Sequence, residues 1–318
     1  MALLEVKNLN LGFNFSTGFK QVLRDVSFSL ERGKMLAIVG ESGCGKTLSA
    51  MSILNLLPEK AQIKSGQILF KEEDLLLKKE KEMQKIRGKN IALIPQDPMT
   101  ALNPLYTIEN QFLEILKIHQ PELKNKKEVI IKSLKEVKIP NAEERLKAYP
   151  HELSGGMKQR IIIAMALACN ADLIIADEPT TALDVTVQAQ IMTLLKEIKE
   201  KEKTAIILIT HDLGLVSQNA DFVAVMYAGR IVEYTDKKTL FEKPLHPYTK
   251  ALFKAIPDIN SEKLEPIKGQ PPSIDDFIIG CPFNPRCNNV MDVCNEKTPE
   301  LALFEKTKIA CWLYKKES

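Results

Sequence analysis

Directly after the apolar run Met35 to Val39 comes Gly40-Glu41-Ser42-Gly43-Cys44-Gly45-Lys46-Thr47, a G-x-x-x-x-G-K-[ST] loop. An apolar-rich stretch from about Lys46 to Leu57 follows and reads as a helix. Strand, glycine-rich loop and helix in that order leave few folds open. Glycines in the loop let backbone N–H groups curl around phosphate oxygens, and the start of the helix adds positive dipole. Gly40, Ser42, Gly43, Cys44 and Gly45 are the expected cradle. Lys46 is expected to reach the β- and γ-phosphates and Thr47 to ligate Mg²⁺.

The rest of the chain agrees with such a core. Short apolar runs at Val22 to Leu30, Ile91 to Ile94, Leu173 to Ala176 and Ala205 to Thr210 read as strands. Between them, Val187, Ile191, Leu194, Leu195 and Ile198 recur at helical period. Asp221 to Met226 and Arg230 to Glu233 read as a hairpin around Ala228-Gly229. Buried strands alternating with helices predict an α/β fold with a largely parallel sheet, whose ligands bind at the carboxyl ends of its strands. From about Pro98 to Pro150 the chain is charged and helical, without clear strands. Past Pro244, prolines at 247, 257, 266, 271 and 272 predict an extended connection into a separate C-terminal module.

Composition excludes several classes. The net charge of +3 comes from interspersed acids and bases, which does not point to a nucleic-acid partner. Met1 to Asn10 alternates like a strand and lacks a signal-peptide pattern. No apolar run approaches the roughly 20 residues needed to cross a bilayer. The expectation is a cytosolic protein whose membrane role, if any, runs through partners.

Two acids end the apolar run Leu173 to Ala176. Asp177 fits a carboxylate that holds the Mg²⁺ shell through water. Glu178, one residue on, fits a carboxylate that polarises an attacking water. His211 follows the strand Ala205 to Thr210 and is placed to hydrogen-bond a γ-phosphate. Gln96 follows Ile91 to Pro95 and is placed to ligate Mg²⁺ or orient water. Spacing alone leaves a structural histidine and a plain turn glutamine equally open.

Leu153-Ser154-Gly155-Gly156-Met157-Lys158-Gln159-Arg160 closely resembles the LSGGQ signature of ATP-binding cassette (ABC) ATPases, with Met157 in the usual Gln position. The resemblance covers most of residues 1–250. It implies an ABC nucleotide-binding domain over 1–255, with a helical subdomain at about 97–157. ATP and Mg²⁺ are then the cofactors. Gln96 matches the Q-loop, Asp177 and Glu178 the Walker B pair and His211 the switch histidine. Ala182-Leu183-Asp184 matches the D-loop, and Phe13 is the candidate to stack on adenine, with Phe15 and Phe19 close behind. Ser154, Gly155 and Gly156 would meet nucleotide across a dimer. The implied partners are a second ATPase subunit, expected to be a paralogue, and two transmembrane permease subunits. An extracytoplasmic substrate-binding protein is linked only indirectly. The implied location is peripheral, at the cytoplasmic face of the membrane.

Six cysteines are present, and four crowd the end of the chain. Cys281, Cys287, Cys294 and Cys311 are spaced C-x5-C-x6-C-x16-C. Four thiolates suit tetrahedral Zn²⁺ or an iron–sulfur cluster, the spacing does not choose between them, and two disulfides or four free thiols stay open. The flanking runs Pro244-Leu245-His246-Pro247-Tyr248-Thr249 and Gly280 to Cys287 resemble the tail of dipeptide/oligopeptide importer ATPases. That resemblance implies a [4Fe–4S] cluster, rather than zinc, in a C-terminal extension at 256–318. It also implies a peptide cargo. Nickel or oligosaccharide import by a similar ATPase remains open, as does the remoter case of a soluble ABC ATPase.

Overall fold

Every residue of the Met35–Val39 strand is buried, as its unbroken apolar run requires. The computed structural model describes residues 1–181, 183–255, 267–276 and 278–315. Ala182, Pro257, Pro266 and the expected boundary between 255 and 256 lie outside the described residues. The chain divides into two units. One comprises Met1–Glu31, Met35–Leu76 and Thr210–Ser318, the other Arg32–Lys34 and Leu77–Ile209.

The first unit holds a four-stranded antiparallel sheet in the order Gly18–Glu31, Ala2–Phe15, Ala61–Phe70, Glu73–Asp74. Leu4 and Val6 point inward, and so do Leu9 and Leu11, although strict alternation would put the second pair on the other face. A register shift between Val6 and Leu9, with Asn8 at φ 46°, resets the phase. Sequence alternation missed the Ala61–Phe70 strand because Lys64, Ser65 and Gly66 interrupt its apolar residues.

The same unit pairs Met35–Val39 in parallel with Phe222–Tyr227, matching Leu36 to Phe222 and Val39 to Val225. Phe222–Tyr227 then makes the expected hairpin with Arg230–Asp236. Its turn uses Ala228 at φ 46° and Gly229 at φ 77°, the two positive values that a type I′ turn needs. Beyond the hairpin the structure departs from a detached C-terminal module. Thr307–Ile309 pairs with Arg230–Asp236, and Ala302–Phe304 pairs with Thr307–Ile309. Cys281, Phe283 and Cys294 share a core with Val39, Tyr227 and Tyr248. The physical reason is the sheet edge: Arg230–Asp236 has open hydrogen-bonding groups on one side, and the tail covers them.

The second unit contains three parallel strands in the order Ala205–Ile209, Leu173–Asp177, Ile91–Ile94. Ile94 lies beside Ala176 and Asp177 beside Ile209, so these strands finish at one edge. The charged stretch resolves into helices Pro98–Ala101, Ile108–His119, Lys126–Glu136 and Ala142–Arg145. Ile108, Phe112 and Leu116 form a buried stripe at spacing four. Thr107 caps that helix by accepting from the Asn110 N–H at 3.3 Å. Among the described residues no helix is long and apolar enough to cross a membrane.

A Cβ added at Gly229 would stand 1.7 Å from the Val22 carbonyl oxygen, whereas one at Gly18 meets nothing within 4 Å. Gly229→Ala is therefore expected to destabilise the protein by about 3 kcal/mol, and Gly18→Ala by about 1 kcal/mol, since only the second substitution is free of a clash. Urea unfolding of the two variants checks the difference.

Candidate functional site

In the first unit the chain leaves the Met35–Val39 strand at Gly40. A Cβ there would lie 2.1 Å from the Met226 carbonyl oxygen, so only glycine allows this close passage. Gly43 and Gly45 take φ values of 78° and 104°, and the helix Lys46–Ile53 begins immediately after. Ser42, Gly43 and Thr47 are exposed at the rim, while Lys46 is 7% exposed. The Lys46 ammonium donates to the carbonyls of Gly40 and Glu41, each at 3.0 Å. It is thereby held at the mouth of the loop by the loop's own backbone. Cys44 is buried, and burial pushes its thiol up, so it serves as packing rather than as a nucleophile.

His211 belongs to this unit as well. The Thr210 N–H donates to the Ile38 carbonyl at 3.3 Å, so His211 emerges beside the carboxyl end of the strand that feeds the loop. Asp212 then accepts from the N–H groups of Gly214 and Leu215 at 2.7 and 3.1 Å, which turns the chain at that point. Phe13 is half-buried on Ala2–Phe15, opposite Lys20 and Ala61, with its ring 6.2 Å from that of Phe15.

In the second unit, Asp177 closes its strand and is 2% exposed. Glu178 follows at φ 44°, with its N–H donating to the Ile209 carbonyl at 2.9 Å. Its carboxylate accepts from Gln96 Nε2 at 3.1 Å and from Thr181 Oγ1 at 2.9 Å. The parallel register brings Gln96 and Glu178 to the same edge although 82 positions separate them. Two donors on one oxygen orient the carboxylate, as a base that must aim at a water requires.

Ser154 opens the helix Gly155–Ala168, accepting from the Met157 N–H at 3.3 Å. Asp184 opens Val185–Glu202 in the same way, accepting from the Val187 N–H at 2.9 Å. The first turns of these helices meet: a Cβ on Gly156 would lie 3.1 Å from Val187. Glycine at 156 thus lets the signature helix and the Asp184 helix approach closely.

The four C-terminal cysteines line one cavity of about 10 Å³ together with His246 and Trp312. Burial and the neighbouring thiols push Cys281 and Cys311 up to about 11. Such groups stay protonated unless a cation compensates the thiolate charge. Among the described residues no three His, Cys, Asp or Glu side chains stand in a metal-holding arrangement. Four thiols lining one cavity are a donor set suited to a soft metal.

Three side chains at the phosphate loop escaped sequence reasoning. The Glu41 N–H donates to Tyr248 Oη at 2.9 Å, and the Glu41 carboxylate accepts from both terminal nitrogens of Arg286. No motif joins positions so far apart. Only the shared burial of Tyr227, Tyr248 and Phe283 assembles them.

Glu178→Gln is expected to reduce ATP hydrolysis by at least about a hundredfold while leaving nucleotide binding in place, because the amide keeps the carboxylate's shape but cannot take up a proton. Single-turnover hydrolysis measured beside equilibrium ATP binding checks both halves.

Two family descriptions match the chain: "ABC transporter" over residues 23–181, and "Oligopeptide/dipeptide transporter, C-terminal region" over residues 232–294. The chain is 51% identical to the dipeptide transport ATP-binding protein DppD of Bacillus subtilis (strain 168), across 98% of this chain and 94% of that protein. It is 46% identical to the oligopeptide transport ATP-binding protein OppD of Salmonella typhimurium, across 98% and 93%. Among solved structures it is similar to CbiO1 of Clostridium perfringens, part of an ABC transporter complex, with TM-score 0.65 and 29% identity over 76% of this chain and 91% of that one. A dimeric ATP-binding cassette holding ADP and phosphate shares the fold at TM-score 0.66 and 24% identity, over 74% and 98%. Identity at this level over nearly the full length of the relatives establishes that the chain belongs to the ABC transporter family.

Proposed function

We propose that this chain is the ATP-binding and ATP-hydrolysing subunit of an importer that carries dipeptides or oligopeptides across the cytoplasmic membrane. The observation that carries the reading is the full-length likeness to peptide-transport ATP-binding proteins, which runs through the C-terminal region as well as the cassette. A likeness confined to the cassette would speak only for ATP. The roles follow from chemistry. Gly40 to Gly45 and Lys46 would receive the phosphates, Thr47 and Gln96 would offer oxygen ligands to Mg²⁺, and Asp177 would hold its shell through water. Glu178 activates water, and His211 contacts the γ-phosphate. Phe13 stacks on the adenine.

The partners are a second ATPase subunit, a paralogue, and two permease subunits at the cytoplasmic face of the membrane. Ser154, Gly155, Gly156 and Asp184 face the nucleotide held by that second ATPase subunit. In support, a similar cassette forms a dimer, and the signature helix opens with a capped, glycine-lined N-terminus suited to an anion. ATP favours the closed pair and hydrolysis the open one, so nucleotide drives transport by its differential affinity for two states.

Cys281, Cys287, Cys294 and Cys311 hold a [4Fe–4S] cluster that serves as a staple for the tail. Four thiol donors lining one cavity support this reading.

Deleting the gene in its host is expected to abolish uptake of labelled di- and oligopeptides. Wild type should restore it and Lys46→Ala should not. Unchanged peptide uptake with loss of nickel uptake would move the cargo assignment while leaving the ATPase chemistry intact. Cys281→Ser is expected to strip acid-labile sulfide and iron from anaerobically purified protein. Stoichiometric zinc in colourless wild type would replace the cluster with zinc.

A further inference from the structure

Every polar group of Glu41 has a partner, and two of those partners come from the C-terminal part of the chain. Its N–H donates to Tyr248 Oη at 2.9 Å, and its carbonyl accepts from Lys46 Nζ at 3.0 Å. Its carboxylate accepts from Arg286 Nη1 at 2.7 Å and Nη2 at 3.0 Å. This is the fork-to-fork geometry that makes an arginine–carboxylate pair both strong and directional.

The guanidinium is fixed in turn. Its side chain is 4% exposed. Nε donates to the Lys268 carbonyl at 2.8 Å, Nη1 also reaches Tyr227 Oη at 3.3 Å, and the group lies 5.7 Å from the Tyr227 ring centre. The residue ends the short turn Asn284–Arg286, immediately before Cys287. A charge so enclosed is costly without its counter-ion, so the Glu41 carboxylate is held firmly in place.

What Glu41 holds is the part of the loop that holds Lys46. The Gly40 and Glu41 carbonyls are the two acceptors of the Lys46 ammonium. A shift of this short backbone segment moves the ammonium with it. Nothing in the G-x-x-x-x-G-K-[ST] pattern specifies a glutamate at its second position or an arginine some 245 residues later.

We propose that Arg286 is a positioning residue for the phosphate loop. By gripping Glu41 from the tail, it sets where the Gly40 and Glu41 carbonyls stand and thus where Lys46 meets the β- and γ-phosphates. The tail is then a working part of the ATP site as well as a cover for the sheet edge. The inference rests on Lys46 and its loop being the phosphate site.

The test uses the full-length chain for MgATP binding and the assembled importer for hydrolysis, with Arg286→Lys, Glu41→Gln, their combination and Lys46→Ala. Each single substitution is expected to weaken MgATP binding and raise KM by about tenfold, with kcat within about twofold of wild type. The double variant should be no worse than the worse single one, because both cut the same fork. An arginine that merely anchored the tail would lower the unfolding temperature and leave KM unmoved. Unchanged KM and binding in variants that fold overturns the proposal, as does a double variant whose loss equals the product of the single losses. If Arg286→Lys does not fold, Glu41→Gln, close to isosteric at a side chain 23% exposed, decides the matter alone. Lys46→Ala that binds and hydrolyses MgATP like wild type would overturn the phosphate-site reading itself. Normal Arg286 and Glu41 variants beside a dead Lys46→Ala would overturn only the positioning role.

Discussion

Short strands that are buried along their whole length set the terms for everything else in this chain. Met35–Val39, Leu173–Asp177 and Ala205–Ile209 are buried at every position. Their backbone groups can be satisfied only by neighbouring strands, so each strand must run straight through its core and end abruptly. Polar chemistry is therefore concentrated in the residue or two after each strand. Gly40, Glu178 and His211 all occupy such positions, and Gln96 stands just beyond its strand Ile91–Ile94. Within each unit, strand termination decides where such polar side chains can stand.

That constraint also explains the strain. Glu178 takes φ 44° while its N–H continues the ladder to Ile209, so the backbone is still paired at the residue where the side chain must turn away. A non-glycine residue in the left-handed region costs about 1 kcal/mol or more. The contacts from Gln96 and Thr181 to its carboxylate hold the side chain once that conformation is accepted. At Gly40 the same crowding is solved by deleting the side chain, because the neighbouring Met226 carbonyl leaves no room for a Cβ.

The tail shows how an appended segment becomes part of a fold. Its prolines read as a spacer, yet Thr307–Ile309 takes the open edge of Arg230–Asp236, and Phe283 meets Tyr227 and Tyr248 at ring distances of 5.2 and 5.4 Å. Once these aromatic rings are buried, Arg286 is carried to Glu41 and Tyr248 to the Glu41 N–H. Burial of apolar area supplies the energy, and the polar contacts supply the registration.

Read alone, the residues disclosed a glycine-rich loop after a strand, two acids at another strand's end, a capped glycine-lined helix and the family. Each is a local pattern whose geometry follows from neighbours within a few positions: glycines where φ must be positive, Ser154 where a helix needs a cap, apolar runs where a strand is buried. Gln96 and Glu178 each read as a residue just past a strand, but their hydrogen bond appeared only in the structure. The remainder emerged from long-range packing. The antiparallel strand Ala61–Phe70 was hidden by a polar interruption that its partner's bulge accommodates, and the attachment of the tail depended on an edge no linear pattern displays. The grip of Arg286 on Glu41 was the least legible, because a charged pair so distant in sequence is chosen by what packs around it, not by spacing along the chain.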